Sequence, residues 1–277
     1  VEAAPSIGGD SRYGDLPNRA RWTPGGALVL NTNAEAKSLL SRLEPKGGEL
    51  TGLVGGLRAI TSFDAREGTL LYTAETPERP GELFVWQDGT ERQLSDLNGS
   101  FVKRHGLRPA SALQSFTTDD GAPLGYWTLE PAKPRKDGAL VVQIHGGPHT
   151  NYGYGFYLEF HLLAAHGYTV VYGNPRGGSS FGHDFATTIL GRYGSIDADD
   201  VLAIAEHAAR ARNKAHGGSV PIHLTGGSYG GFMTNWLVTQ TDRFRSAVTQ
   251  RSICNWLSFY GTSDIGERFT EREQGGT

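Results

Sequence analysis

Residues 221–237 read PIHLTGGSYGGFMTNWL, and this stretch limits what the chain can fold into more than any other. Ile222 to Thr225 is apolar and branched like a buried strand, Phe232 onward is patterned as a helix, and Gly226-Gly227-Ser228-Tyr229-Gly230 joins them. A strand that passes into a helix through G-x-S-x-G is a nucleophile elbow: the glycines permit a sharp turn, and the serine stands at its tip with the helix N-terminus pointing at it. The bland alternative is a serine in a glycine-rich turn. A phosphate-binding loop would need Lys-Ser/Thr after its glycines, and a dinucleotide loop would need G-x-G-x-x-G; neither spacing occurs here. A serine hydroxyl needs a base to become a nucleophile. No histidine follows Ser228; the last is His223.

The elbow implies a sheet around it, and the chain from Arg108 onward supplies one. Ser115 to Pro131 contains a hairpin, Ala139 to Ile144 (ALVVQI) is a strand of the kind buried on both faces, Tyr157 to His166 reads as a helix, and Tyr168 to Tyr172 as a second buried strand. Ile196 to Ala211 is an alanine-rich helix with Ser195 as its expected N-cap and Asp197, Asp199 and Asp200 in its first turn. Strand 222–225, helix 232–240 and strand Ser246 to Gln250 complete the alternation, which predicts a mostly parallel sheet covered on both faces. Chemistry in such sheets sits at the carboxyl ends of the strands.

Residues from about Arg19 to Leu107 have a different texture, with short strands and turns. Arg21 to Leu30 resembles Ser62 to Tyr72 at an offset of about 41 positions. Each unit continues with an apolar pair, Leu39-Leu40 or Leu83-Phe84, and a turn, Gly47-Gly48 or Asp88-Gly89. The reading is about two four-stranded propeller blades, with any antiparallel hairpin sheet as the alternative. Because a propeller needs ~4–8 blades, two cannot close a ring and the others would lie outside this chain. The expected division is 1–108 as a partial β-propeller and 109–277 as the α/β domain.

His145-Gly146-Gly147-Pro148 directly follows the ALVVQI strand. Acyl transfer builds negative charge on the carbonyl oxygen, and two backbone N–H groups aimed at it stabilise it. Pro148 has no N–H, so Gly147 and Tyr229, the residue after the serine, form the natural oxyanion pair. His145 is read as anchoring its loop, because enzymes with this elbow carry acid and histidine after the serine. Arg176, in Asn174-Pro175-Arg176-Gly177-Gly178, either binds a substrate carboxylate or braces the loops, bracing being the simpler reading. The first-turn aspartates are explained by the helix dipole. Asp242 and Asp264 follow Ser228, but neither clearly follows a further core strand, so neither is assigned as the triad acid. Tyr152 and Phe156 are singled out as candidate substrate-contacting aromatics against a background of core packing, which also accounts for Trp256, Phe259 and Tyr260.

Bulk properties narrow the class. A net charge of −3 gives no electrostatic case for nucleic acid. No apolar run approaches the ~20 residues that span a bilayer, so no membrane partner is expected. One cysteine, Cys254, excludes an internal disulfide and fits a reducing, cytoplasmic compartment. No cluster has metal-ligand spacing, and no cofactor is called for.

HGGP at 145–148, NPRGGSSFG at 174–182, YGSIDADD at 193–200 and GGSYGGFMTNW at 226–236 together resemble the prolyl oligopeptidase family of serine peptidases. HGGPHTNYGYGF and RSICNWLSFYGTSDIG point to its acylaminoacyl peptidase branch. The likeness is close over about 110–277 and loose before it. It implies an α/β hydrolase domain, here incomplete, preceded by the last blades of a β-propeller that screens short peptides by size, with the active site between the two domains. It makes Ser228 the nucleophile and Gly147 and Tyr229 the oxyanion donors. The family's aspartate and histidine lie further along the chain than Thr277, so the chain is expected to be an internal piece of a longer polypeptide, inactive alone, whose partner is the remainder carrying the other blades and the triad Asp and His. A homo-oligomer stays open. The expected function is a serine peptidase releasing N-terminal, perhaps acylated, residues; an esterase or lipase of the same fold, and a hydrolase-fold binding module, are the alternatives.

Overall fold

The computed structural model describes residues 20–275 and divides into two compact units. The first comprises the described residues up to Pro109 together with Tyr152–Leu158 and Ser180–Gly182; the second takes Ala110–Asn151, Glu159–Ser179 and the described chain from His183.

The first unit holds two four-stranded antiparallel sheets in sequential order. One contains β1 (Arg21–Trp22), β2 (Leu28–Ala34), β3 (Lys37–Leu43) and β4 (Leu50–Val54); the other contains β5 (Ala59–Arg66), β6 (Thr69–Thr76), β7 (Arg79–Gln87) and β8 (Thr90–Gln93). The internal repeat falls on them strand for strand: Leu39-Leu40 lies in β3 and Leu83-Phe84 in β7, while Gly47-Gly48 and Asp88-Gly89 form the turns that follow. Val29, Leu40 and Val54 from one sheet and Ile60, Phe63, Leu70 and Tyr72 from the other share one apolar core. A short helix, α1 (Gly99–His105), which the sequence pattern did not announce, ends the stretch. The two later segments are tied in by hydrogen bonds: the Phe156 N–H donates to Glu75 Oε1 at 2.9 Å, and the Ala36 N–H to Ser180 Oγ at 2.8 Å.

The second unit is built on a six-stranded sheet of β9 (Gln114–Thr117), β10 (Pro123–Leu129), β11 (Leu140–Ile144), β12 (Thr169–Gly173), β13 (Ile222–Gly227) and β14 (Ser246–Gln250), in the order β14-β13-β11-β12-β10-β9. The four strands β14, β13, β11 and β12 run parallel; β10 pairs antiparallel with β12 and with β9. Around the sheet lie α2 (Leu158–Ala165), α3 (His183–Thr187), α4 (Ile196–His216) and α5 (Tyr229–Gln240), followed by α6 (Trp256–Thr262) and α7 (Gly266–Gln274). β11 and β12 are buried at every position, as their unbroken apolar character requires. Val142, Ile144 and Leu224 of the sheet pack against Val201, Ile204 and Ala205 of α4 and Met233 and Leu237 of α5.

The register fixes where three loops emerge. Ile144, the last residue of β11, pairs with Gly226 of β13, and Gln143 pairs with Tyr172 of β12. Residues 145–148, 174–178 and the turn at Ser228 therefore leave adjacent parallel strands at one carboxyl edge of the sheet. The helix after the elbow starts earlier than its apolar pattern indicated, at Tyr229 rather than Phe232, because glycines 230 and 231 carry no pattern signal but continue the helix.

Candidate active site

A single residue separates β13 from α5. Ser228 has φ 57° and ψ −121°, a backbone region that residues with a side chain rarely adopt. Its surroundings hold it there: the Ser228 N–H donates to Gln250 O at 3.0 Å, and its carbonyl accepts the Phe232 N–H at 2.9 Å. The flanking glycines are needed for approach as well as for the turn. A Cβ on Gly230 would come within 2.2 Å of Ile144 O and 2.8 Å of His145 O. The first turn of α5 thus lies directly on the end of β11, and only a residue without a side chain fits there. Ser228 itself is half-buried.

The 145–148 loop departs beside it. Gly147 has φ 106°, and a Cβ there would meet Thr150 Cγ2 at 2.6 Å and His149 N at 2.7 Å. The turn is closed by the Thr150 N–H donating to Pro148 O at 2.7 Å, and Ser179 N–H binds Thr150 O at 2.9 Å. Among the described residues no backbone carbonyl accepts the Gly147 N–H. Tyr229, at the first position of α5, has one of the N–H groups for which the helix offers no acceptor. His145 is fully buried with Nδ1 2.7 Å from Gly146 O, and burial pulls its pKa down to about 4. An imidazole that weakly basic is poorly matched to accepting a proton near neutral pH. His223 points elsewhere, its Nδ1 2.7 Å from Ser246 Oγ. Among the described residues no histidine is hydrogen-bonded to Ser228.

Two expectations change in detail. The first-turn aspartates of α4 are not simply helix-dipole partners: Asp197 and Asp200 are fully buried, and only Asp199 faces solvent. Asp197 Oδ2 accepts the Tyr229 hydroxyl at 2.6 Å and the Gly194 N–H at 3.1 Å. Asp200 takes Arg176 in a bidentate grip, Nε at 2.8 Å and Nη2 at 2.6 Å, while Arg176 Nη1 donates to Asp120 Oδ2 at 2.6 Å. The Arg176 guanidinium is thereby engaged on all sides, the bracing role of the two considered. Ser195 occupies the N-cap position but makes no side-chain cap; its hydroxyl donates to Arg192 O at 2.5 Å.

Tyr152 and Phe156 fall in the first unit, whereas Ser228, Gly147, Tyr229 and Arg176 fall in the second. Tyr152 is buried and meets Tyr157 edge-on at 5.0 Å. Trp256 and Phe259 pack with Phe269 and with each other. Asp242 is exposed between α5 and β14, and Asp264 lies between α6 and α7. Sequence reasoning missed Glu273 on α7, whose Oε2 lies 2.9 Å from His149 Nε2 and also accepts the Tyr193 hydroxyl.

This elbow, its adjacent glycine loop and the parallel sheet beneath them can be set against known proteins. The model of the prolyl oligopeptidase family matches residues 154–277. Residues 154–277 belong to the prolyl oligopeptidase family. The chain is 39% identical over 282 residues to the peptidase YuxL of Bacillus subtilis (strain 168), an alignment covering 98% of this chain and 42% of that relative. It is 33% identical over 155 residues to acylamino-acid-releasing enzyme 1 of Oryza sativa subsp. japonica, covering 53% of this chain and 19% of the enzyme. Among solved structures, the Pyrococcus horikoshii acylaminoacyl peptidase superposes with a TM-score of 0.80 at 35% identity, over 92% of this chain and 40% of the peptidase. The chain thus spans about two fifths or less of the length of these relatives.

Proposed function

We propose that the protein is a serine peptidase that cleaves short peptides through an acyl-enzyme on Ser228 and releases N-terminal, acylated amino acids. The observation that carries this reading is the backbone of Ser228, held at φ 57° between β13 and α5 and beside the 145–148 loop. The matches to acylamino-acid-releasing and acylaminoacyl peptidases support the substrate class. In this reading the first unit is the last two blades of a β-propeller and the second is the first part of an α/β hydrolase domain.

The chemistry follows from the groups present. Ser228 Oγ attacks the scissile carbonyl as its proton passes to an imidazole supplied by polypeptide beyond this sequence. The Gly147 and Tyr229 N–H groups hold the resulting oxyanion; losing one such donor typically costs about 10²–10³ in turnover. Collapse of the intermediate expels the amine, which takes the imidazolium proton, and water then hydrolyses the ester by the same route in reverse. Gly147 contributes by its shape, since a Cβ there would collide with Thr150 and His149, so the turn that carries this N–H needs a glycine.

The test is labelling of the intact native protein with a fluorophosphonate. The expected result is one labelled site at Ser228, with label and turnover lost in Ser228→Ala by about 10⁴-fold or more. An unlabelled native protein favours a binding module. Cleavage of an acetyl-amino-acid anilide in preference to its free-amino counterpart and to a short-chain ester supports the acyl specificity; preference for the ester points to an esterase.

A further inference from the structure

The two oxyanion donors of the proposed mechanism sit on different elements, and each is tied back to the second unit by a carboxylate that the chemistry itself does not use. Tyr229 is buried, and its hydroxyl donates to Asp197 Oδ2 at 2.6 Å. That oxygen also accepts the Gly194 N–H at 3.1 Å, so Asp197 joins the start of α5 to the segment before α4. On the other donor's side, His149 stands two residues past Gly147. Its Nδ1 lies 2.9 Å from Gly177 O and its Nε2 lies 2.9 Å from Glu273 Oε2. Tyr193 connects the halves: its hydroxyl donates to the same Glu273 oxygen, and its ring meets the Tyr229 ring edge-on at 5.4 Å. The Gly191 N–H donates to Glu273 O at 2.7 Å, fixing α7 to the segment that carries Tyr193.

We propose that Asp197 and Glu273 are positioning residues for the oxyanion hole, Asp197 acting through the Tyr229 hydroxyl and Glu273 through His149, with Tyr193 coupling the two. The inference rests on the reading of Ser228 as nucleophile and of Gly147 and Tyr229 as donors. Its physical basis is leverage. A ring fixed at both ends cannot roll, so the first peptide of α5 cannot rotate about the helix axis. With both of its nitrogens protonated, the His149 ring donates to the Gly177 carbonyl and to the Glu273 carboxylate, and this likewise prevents residues 147–149 from swinging. If packing were the only requirement, phenylalanine at 229 and an apolar residue at 197 would meet it without enclosing a charge, and such replacements of buried polar pairs are often neutral or stabilising. Burial raises the pKa of Asp197, and its Oδ1 takes no hydrogen bond among the described residues, so the carboxylate is kept at a cost. A displacement of about 1 Å in a reacting geometry is worth about 10²-fold in rate, which gives such a device its purpose.

The test separates aim from stability. Tyr229→Phe, Asp197→Asn and Glu273→Gln are made in the intact native protein, and their melting is recorded. Each is assayed for turnover of an acetyl-amino-acid anilide, for inhibition by the matching acetyl-amino aldehyde and for inhibition by the acetyl-amino-acid product. The aldehyde adds Ser228 Oγ to its carbonyl carbon, its oxygen becomes the oxyanion, and the hydroxyl proton moves to the imidazole; the product makes no such bond. The expected result for Tyr229→Phe is a loss of kcat of about 10-fold with KM within about twofold, the same loss in aldehyde affinity, and unchanged product affinity. Glu273→Gln, at the rim of the network and able to fold if the buried variants do not, shows a smaller loss with the same split. Wild-type kcat and aldehyde affinity in folded Tyr229→Phe and Glu273→Gln, or equal losses of aldehyde and product affinity, overturn the proposal. Retention of turnover by Ser228→Ala instead overturns the nucleophile reading beneath it.

Discussion

Glu82 of β7 in the first unit and Asp197 of α4 in the second are enclosed to the same degree, 1% and 0% exposed, yet they are held in different ways. Glu82 is surrounded by donors. It accepts the Ser95 hydroxyl, the Leu97 N–H at 3.0 Å and the Asn98 N–H at 2.7 Å, which closes the connection from β8 to α1. Burial pushes its pKa up, but these donors outweigh burial and leave it below the usual value. For Asp197 burial dominates: the Tyr229 hydroxyl and backbone N–H groups do not compensate, and its pKa stays raised. A carboxylate saturated by main-chain donors is a staple for a turn. One sparsely satisfied, bonded to the hydroxyl of the tyrosine that follows the elbow serine, is in the proposal above retained for what it orients. The same contrast appears in the glycines. Gly81 in β7 has open space where a Cβ would stand, whereas Gly230 has a carbonyl oxygen at 2.2 Å.

The largest effect that could break this comparison is at those glycines. Gly230→Ala is expected to destabilise the protein by about 3 kcal/mol or more, because the new methyl meets backbone and not a movable side chain. Gly81→Ala is expected to be neutral or to stabilise by about 0.5 kcal/mol. Urea unfolding midpoints of the two variants decide it, and similar losses at both sites would remove the distinction.

Next in size is the pair of acids. Glu82→Gln should cost about 1–3 kcal/mol at neutral pH, since a neutral amide acceptor replaces a charged one and leaves an N–H donor facing donors. Because the folded-state pKa of Glu82 is lowered, its contribution is present above the ordinary glutamate value of 4.5 and disappears as pH falls through the folded pKa. Asp197 has the opposite sign. Its folded pKa is raised, so its contribution is present below 3.8 and is lost as pH rises through the folded value. Melting curves across this range should therefore show the gap between wild type and Glu82→Gln widening with pH, while wild type loses ground to Asp197→Asn. Parallel slopes for the two variants would end the contrast. The smallest effect is expected at the surface: Arg66, paired with Glu67 at 3.6 Å with both side chains largely exposed, should change stability by less than about 0.5 kcal/mol when replaced by Ala. A larger loss would show that exposed ion pairs, too, carry stability in the first unit.

The sequence was most informative where backbone chemistry leaves a local signature. The glycine-flanked serine located the elbow, unbroken apolar runs marked β11 and β12, and the strand at Ser246 to Gln250 has the bounds read from its pattern. The internal repeat located the two four-stranded antiparallel sheets because hairpin sheets are built from neighbours in the chain. The inward aspartates were harder, since two influences act on one helix turn and the dipole alone accounts for acids there. A signal was nonetheless present: Asp197 and Asp200 fall on the same three-and-four-spaced stripe as Val201, Ile204, Ala205 and Ala208, the face that α4 buries. The link between His149 and Glu273 spans 124 positions and no periodicity connects them. The assignment of Tyr152 to the first unit is likewise a matter of tertiary contact, invisible in an aromatic-rich loop.

One consequence follows from the single-residue junction between β13 and α5. A side chain mounted on a long loop can correct its direction by small torsional changes spread over many bonds; the hydroxyl at 228 has no such slack. Its bearing is inherited from a strand and a helix that are both locked in the interior, so any shift of that framework, even one remote from the surface, turns up undiminished at the oxygen. In the proposed mechanism, the scaffold's rigidity and the accuracy of the attack are one and the same quantity.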